Sequence, residues 1–292
     1  MLRHLLGKSA KTIKRIRQTR PPLAQALSVE NYKLLFIGGL HRSGTSVLHR
    51  LLREHPSASG FTDTGVPEDE GQHLQSVFPP AYEYGGPGAF AFDLRSHLTE
   101  ESSLITSDNR NKLLREWGAY FDLSKELLLE KSPPNLLRSR FFQALFPGAC
   151  FVFVIRHPIA VALATQKWAK TSIVELLLHW HVAYSIMLAD LAHIERYCLM
   201  RYEDFVESPR SHLDEICRLV GVDGITPRET VINHNPKYFS IWKQGYARDR
   251  EVIDSLFPAG GPLETFGYSF SEPYVRTMTI PARGLQMVNT SG

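Results

Sequence analysis

The chain has 292 residues, 43% of them hydrophobic and 22% charged, with a formal net charge of +3 at pH 7. That length allows one large α/β domain or two small ones with an ample core, and the mixed composition excludes a disordered or fibrous chain. So small a charge excludes a general nucleic-acid binder while suiting a small anionic ligand, and Cys150, Cys198 and Cys217, far apart and without C-x-x-C spacing, suit reduced thiols in a cytoplasmic compartment.

Residues 1–30 form a basic arm in which Arg3, Lys8, Lys11, Lys14, Arg15, Arg17 and Arg20 meet no acid before Pro21-Pro22. A solvated tail with weak contact to an anionic membrane surface is the expectation. The longest uninterrupted apolar stretches, CFVFVI and IAVALA, are too short to span a bilayer. The main domain is assigned to 31–270 and a weakly ordered tail to 271–292.

Within KLLFIGGLHRSGTSVLHRLL, residues 33–52, the apolar run Leu34, Leu35, Phe36 and Ile37 predicts a buried strand that Gly38-Gly39 ends. Ser43, Gly44, Thr45 and Ser46 open a helix whose Val47, Leu48, Leu51 and Leu52 share one face. Strand, glycine turn and helix N-terminus converge unpaired N–H groups and a positive dipole end on one spot, which is an anion site. Gly39 to Gly44 has the spacing G-x-x-x-x-G, but Thr45 and Ser46 stand where a nucleotide triphosphatase needs Lys and then Ser or Thr. The basic residue sits in the turn instead, as Arg42.

From Glu54 to about Tyr120 periodicity is lost, and Gly, Pro and aromatics dominate. The aromatics Phe78, Tyr82, Tyr84, Phe90 and Phe92 predict an irregular lid over an acceptor. Glu68, Asp69 and Glu70 follow a Gly-Val-Pro turn and supply carboxylates able to take a proton. The first of them, Glu68, is slightly favoured over Glu70, with His41 and His73 as further candidates.

A second strand is expected over 126–130, with Lys131 and Ser132 at its carboxyl end, where ligands gather in open α/β sheets. A helix follows over 136–146. CFVFVI, residues 150–155, reads as a parallel strand buried on both faces, followed by Arg156, His157 and a helix opened by Pro158. Ile173, Leu177, Trp180, Tyr184, Met187 and Leu191 step along a core helix. His179 and His181 lie two apart on it and face different ways, so no metal site is expected. A fourth strand over 197–201 leads to Tyr202, and Ser208-Pro209 caps a helix that ends at Gly221. SIWKQGYARDR, residues 240–250, combines aromatics with Lys243, Arg248 and Arg250, a basic segment that reads equally as a surface loop or as part of an anion site.

Three blocks of this sequence, 33–56, 126–165 and 197–221, resemble the sulfotransferases that use 3′-phosphoadenylyl sulfate (PAPS), nearest the branch of protein-tyrosine and many bacterial sulfotransferases. The order Arg42-Ser43-Gly44-Thr45-Ser46 is similar to that family's 5′-phosphosulfate loop, EKSPPN to its strand end of Lys-Thr or Lys-Ser followed closely by Pro, VIRHPIAVALATQKW to its 3′-phosphate motif, and RYED to its Arg/His-Tyr-Glu-Asp segment. The resemblance implies an α/β, P-loop-type three-layer fold with a mostly parallel sheet. It also implies that PAPS is the co-substrate, without a metal. Arg42 and Lys131 would then lie at the transferring sulfonate, Ser43 to Ser46 at the 5′-phosphate, Arg156 at the 3′-phosphate and Tyr202 near the nucleotide. The family's serine eight residues after the arginine is Ala164 here, with Thr165 beside it. The acceptor, a carbohydrate, lipid, small-molecule or protein hydroxyl, or an amine, is not legible. A P-loop kinase and a non-catalytic nucleotide-binding protein are the alternatives.

Overall fold

The computed structural model describes residues 31–246, 249–257, 259–271 and 276–279. The basic arm, Arg248 and most of the tail lie outside them. Five strands form one parallel sheet: β1 (Lys33–Gly39), β2 (Ala58–Gly60), β3 (Leu127–Lys131), β4 (Cys150–Ile155) and β5 (Tyr197–Arg201). Their spatial order is β2-β3-β1-β4-β5. Because β3 and β4 flank β1 on opposite sides, the chain reverses its direction of growth at β1. The loop leaving β1 therefore opens into the crevice where such sheets bind ligands.

Alternation along the strands divides the core in two. Leu34 and Phe36 of β1 face one layer with Phe151 and Phe153, and Phe36 stacks on Phe142 with centroids 4.4 Å apart. Leu35 and Ile37 face the other with Leu127, Leu129, Val152 and Val154. The first layer is covered by helices α2 (Ser107–Gly118), α3 (Ser139–Leu145) and α5 (Ile173–Asp190), the second by α1 (Thr45–Leu52), α6 (Tyr202–Glu207) and α7 (Pro209–Val220). A smaller cluster joins α4 (Pro158–Thr165) and α5 to α8 (Asn235–Gly245), with α9 (Asp249–Leu256) and α10 (Pro262–Thr265) following.

Several expectations need correcting. The helix over 136–146 is split into a 3₁₀ turn at Pro133–Leu137 and α3, since two successive prolines open the segment and Arg138 breaks it with φ −130°. Ser208 precedes α7, but its hydroxyl makes no capping bond; Pro209 at the first turn starts the helix and Gly221, left-handed at φ 71°, ends it. Ile173–His193 is long and apolar enough, by length and composition, to cross a membrane, although no uninterrupted apolar run suggested it. Half of that window is buried within the fold, with Trp180, Tyr184 and Met187 in the core. In the irregular stretch, Phe78 and Phe90 belong to the main core, Tyr84 packs at its edge, and Tyr82 and Phe92 stay exposed. In the tail, Arg276 and Thr279 donate N–H bonds to Gly267 (2.8 Å) and Thr265 (3.0 Å), which ties this part to the domain. All three cysteines are buried and free.

Candidate active site

The loop after β1 is shaped by close approaches that only glycine permits. A Cβ on Gly38 would lie 2.6 Å from the Leu136 nitrogen, and one on Gly39 would lie 2.7 Å from Ser43 Oγ. Arg42 (φ 70°) and Gly44 (φ 110°) are both left-handed, so the chain curls back on itself before α1 begins. The first-turn N–H groups of Thr45 and Ser46 have no intrahelical acceptor, which leaves them for an anion. Ser43 is fully buried near the Tyr184 phenol, and its hydroxyl has no hydrogen-bond partner. Thr45 is buried and Ser46 exposed. The Arg42 guanidinium projects outward over the exposed Trp168 ring at 4.8 Å.

Arg156, at the end of β4, is buried against this loop. Its Nη1 donates to the Arg42 carbonyl (2.8 Å) and its Nε to Asn235 Oδ1 (2.8 Å), while Nη2 is buried without a partner. Burial lowers its pKa. Nη2 is thus the nitrogen left wholly free for a phosphate, while Nε and Nη1 each give a bond to holding the loop and Asn235. Tyr202 fills the remaining space: its ring lies 4.2 Å from the guanidinium carbon, and a Cβ on Gly44 would stand 2.7 Å from it. Glu203 accepts from the His157 N–H (3.0 Å), Asn235 Nδ2 (2.6 Å) and the Tyr268 hydroxyl (2.7 Å), and so fixes the asparagine that fixes Arg156. Lys237 lies 4.8 Å from the Tyr238 ring, and Arg156 also faces that ring at 5.6 Å. These α8 residues flank the loop; within 240–250, Arg250 Nη2 donates to the carbonyls of Trp242 (3.4 Å) and Lys243 (3.2 Å), and its Nε is buried without a partner.

On the other side of β1, Lys131 ends β3 almost wholly enclosed. Its ammonium donates to the Glu68 carbonyl (2.8 Å) and to Glu70 Oε1 (3.3 Å), leaving one of its three protons uncommitted. Glu70 is buried and its second oxygen accepts from Gln72 Nε2 (2.5 Å); burial raises its pKa, with Lys131 opposing. Glu68, left-handed at φ 53°, is exposed, and its carboxylate lies 3.5 Å from Ser46 Oγ. The neighbouring Glu130 is enclosed and accepts from Ser132 Oγ (2.6 Å) and from Asn135 Nδ2. Burial pushes its pKa from 4.5 to about 7.

That shift has a measurable sign. A carboxyl with a raised folded pKa binds its proton more tightly when folded, so its stabilising contribution is full below pH 4.5 and is lost as pH climbs to about 7. The loss amounts to roughly 3 kcal/mol. Glu130→Gln has no proton to lose, so its melting temperature relative to the parent should rise between pH 5 and pH 8. A difference that stays flat across that interval contradicts the assignment.

Thr165 lies in the last turn of α4, where its buried hydroxyl has no partner and lines a small cleft with Leu40, His41, Gly88, Val161 and His179. His41 and His179 are held neutral there, burial pushing both down to about 3. His179 Nε2 accepts the Ala91 N–H (3.1 Å), and His73 stacks on Tyr82 with its Nε2 3.9 Å from Glu70. Among the described residues no group of three or more His, Cys, Asp or Glu is arranged to hold a metal ion. Asn235, Glu203 and Glu130 were not singled out from sequence as site residues. Glu203 lay within the RYED segment and Glu130 at a strand end, while nothing in the sequence pointed to Asn235.

The sequence matches the model of the sulfotransferase family over residues 35–227. Protein-tyrosine sulfotransferase 2 of Gallus gallus is 23% identical over 212 residues, covering 69% of this chain and 53% of that protein. The chain thus spans about half the length of that relative. Among solved structures, a sulfotransferase from Alicyclobacillus acidocaldarius is 18% identical with a TM-score of 0.45, over 76% of this chain and 94% of that one. A sulfotransferase from Mycobacterium avium is 16% identical with a TM-score of 0.47, over 82% and 78%. The family match takes in the loop after β1, the end of β3 with Lys131 and the end of β4 with Arg156, and on it the chain belongs to the sulfotransferase family.

Proposed function

We propose that this protein transfers a sulfonate group from PAPS to a hydroxyl or amine of an acceptor by in-line displacement. The observation that carries the reading is that the carboxyl ends of the central strands hold both a cation-lined helix N-terminus and a buried Lys131–Glu70 pair. The donor nucleotide fits what is there: the unpartnered Arg156 Nη2 is a buried cation with unspent hydrogen-bonding capacity beside an anion cradle. The main chain from Ser43 to Ser46 and the hydroxyls of Thr45 and Ser46 would hold the 5′-phosphate, and Arg156 the 3′-phosphate, with Tyr202 and Tyr238 beside it. Arg42 and Lys131 place positive charge where the bridging oxygen becomes negative. Glu70 takes the acceptor's proton. Burial lifts its basicity toward working pH, while Glu68 sits in solvent. Free buried thiols support a cytoplasmic setting. The partner is a hydroxyl-bearing carbohydrate, lipid, small molecule or protein rather than nucleic acid, and the proposed membrane contact of the basic arm rests on its sequence alone.

A kinase reading is disfavoured by a specific observation. The strand-end carboxylate that would hold Mg²⁺ is Glu130, and both its oxygens are taken by Ser132 and Asn135. Thermal shifts decide between the readings: adenosine 3′,5′-bisphosphate should raise the melting temperature, and ATP with Mg²⁺ should not. The reverse result would establish the kinase reading. Stabilisation by the bisphosphate without sulfonate transfer from PAPS to any acceptor in a broad panel would point to a non-catalytic binder.

Arg156→Ala should lower affinity for adenosine 3′,5′-bisphosphate by roughly tenfold to a few hundredfold, since a charge-assisted phosphate contact is worth about 1.5–3 kcal/mol and the loop also loses the donor on its Arg42 carbonyl. Arg156→Lys should recover little, because an ammonium cannot span Asn235, the loop carbonyl and a phosphate together. Calorimetric titration of both variants measures this; unchanged affinity in the alanine variant removes Arg156 from the site.

A further inference from the structure

Glu130 is the enclosed carboxyl that the proposed chemistry leaves unused, and its two hydrogen-bond partners, Ser132 and Asn135, link it onward to the turn after Glu70 and to β1. On one oxygen it accepts the Ser132 hydroxyl, and Ser132 Oγ in turn accepts the Gln72 N–H (3.0 Å), the second residue after Glu70. On the other it accepts Asn135 Nδ2, which also donates to the Ile37 carbonyl (3.1 Å) on β1, just before the phosphate loop. The turn after Glu70 is pressed onto this carboxyl: a Cβ on Gly71 would clash with Glu130 Oε1, and the Gly71 carbonyl accepts Trp117 Nε1 (2.9 Å). Glu70 therefore sits at the end of a chain of hydrogen bonds that begins at β1 and passes through Glu130. No backbone pairing joins the 70–73 turn to β1; β3, carrying Glu130 and Lys131, stands between them.

We propose that Glu130 is a positioning residue for the proton acceptor: through Ser132 and Asn135 it locks the turn bearing Glu70 to the strand that ends in the phosphate loop. The proposal rests on Glu70 being the base. An enclosed carboxyl is suited to this work because it presents two acceptors in one plane, one for a serine hydroxyl and one for an asparagine amide, in a place where water cannot substitute. A leucine fills the same space and joins nothing. A glutamine keeps both links, its oxygen accepting from Asn135 and its amide donating to Ser132 Oγ, which has a second lone pair for Gln72.

The test is a set of double-mutant cycles on turnover, read beside affinity for adenosine 3′,5′-bisphosphate. Glu130→Leu is expected to lower kcat by about tenfold to a hundredfold with bisphosphate affinity within about threefold, whereas Glu130→Gln stays within about fivefold of the parent. In a Glu70→Gln background, Glu130→Leu should cost less than about threefold more, because the base it positions is already gone. Ser132→Ala cuts the same chain by a single atom and covers the case in which the leucine variant does not fold; it too should lose its effect in the Glu70→Gln background. Full additivity in both cycles, or bisphosphate affinity falling in step with kcat, overturns the positioning role. Normal turnover in Glu70→Gln alone sinks the base assignment instead, and the positioning proposal with it, which is a different result from a Glu70-dependent enzyme indifferent to Glu130 and Ser132.

Discussion

Glu70→Gln is expected to cut turnover by about 10²–10⁴-fold while leaving affinity for adenosine 3′,5′-bisphosphate within a factor of about two, the usual contribution of a general base. The amide oxygen can accept from only one of Lys131 and Gln72 and the side chain cannot accept a proton, and since neither bond touches the nucleotide cradle the loss falls on kcat and not on nucleotide binding. Because burial raises the Glu70 pKa, the acidic limb of the parent's pH–rate profile should lie above the range of an ordinary carboxylate, and it should vanish in the variant. Glu68→Gln is the internal control. Its carboxylate is exposed beside Ser46, so the substitution should change turnover by less than about fivefold. Should Glu68→Gln carry the large loss and Glu70→Gln the small one, the two carboxylates exchange roles and the buried pair becomes structural.

The four long strands were legible because each carries a continuous apolar run, closed by glycine in β1, glutamate in β3 and arginine in β4 and β5, the pattern of a parallel strand in a covered sheet. β2 was not. Its sequence Ala58-Ser59-Gly60 is three small residues, and it becomes a strand only because β3 offers it an edge. The loop residues and the strand-end Lys131 and Arg156 were legible for a local reason: glycine spacing and a cation at a strand end are written within a few residues. Which of their atoms remain free was not. Arg156 spends Nε on Asn235, 79 residues away, and Lys131 is enclosed by a turn whose Glu70 is 61 residues before it. The surroundings of Thr165 were equally hidden, since its unpartnered hydroxyl faces a cleft shared with Leu40 and His41, more than a hundred positions earlier in the chain. The irregular stretch after α1 hid the choice between Glu68 and Glu70, because exposure there depends on packing against β3 rather than on any pattern in the chain.

Lys131→Ala should produce two losses that can be told apart. The first is stability: removing one member of an enclosed ion pair strands the other, at a cost of about 3–5 kcal/mol. Without its cation Glu70 keeps its proton to still higher pH, so the folded variant binds more protons than the unfolded chain over a wider interval, and its stability falls further behind the parent as pH rises from 5 to 8. Urea midpoints at the two pH values measure that gap. The second loss is catalytic, on the order of 10²–10³-fold in turnover, because a positive charge that meets the leaving oxygen only as it becomes negative acts on the transition state. Lys131→Met combined with Glu70→Leu separates them. With both charges gone, the apolar pair should recover most of the lost stability, as replaced buried ion pairs often do, while turnover stays at the floor. A double variant that regains turnover along with stability would show that Lys131 and Glu70 hold the fold together and take no part in the chemistry.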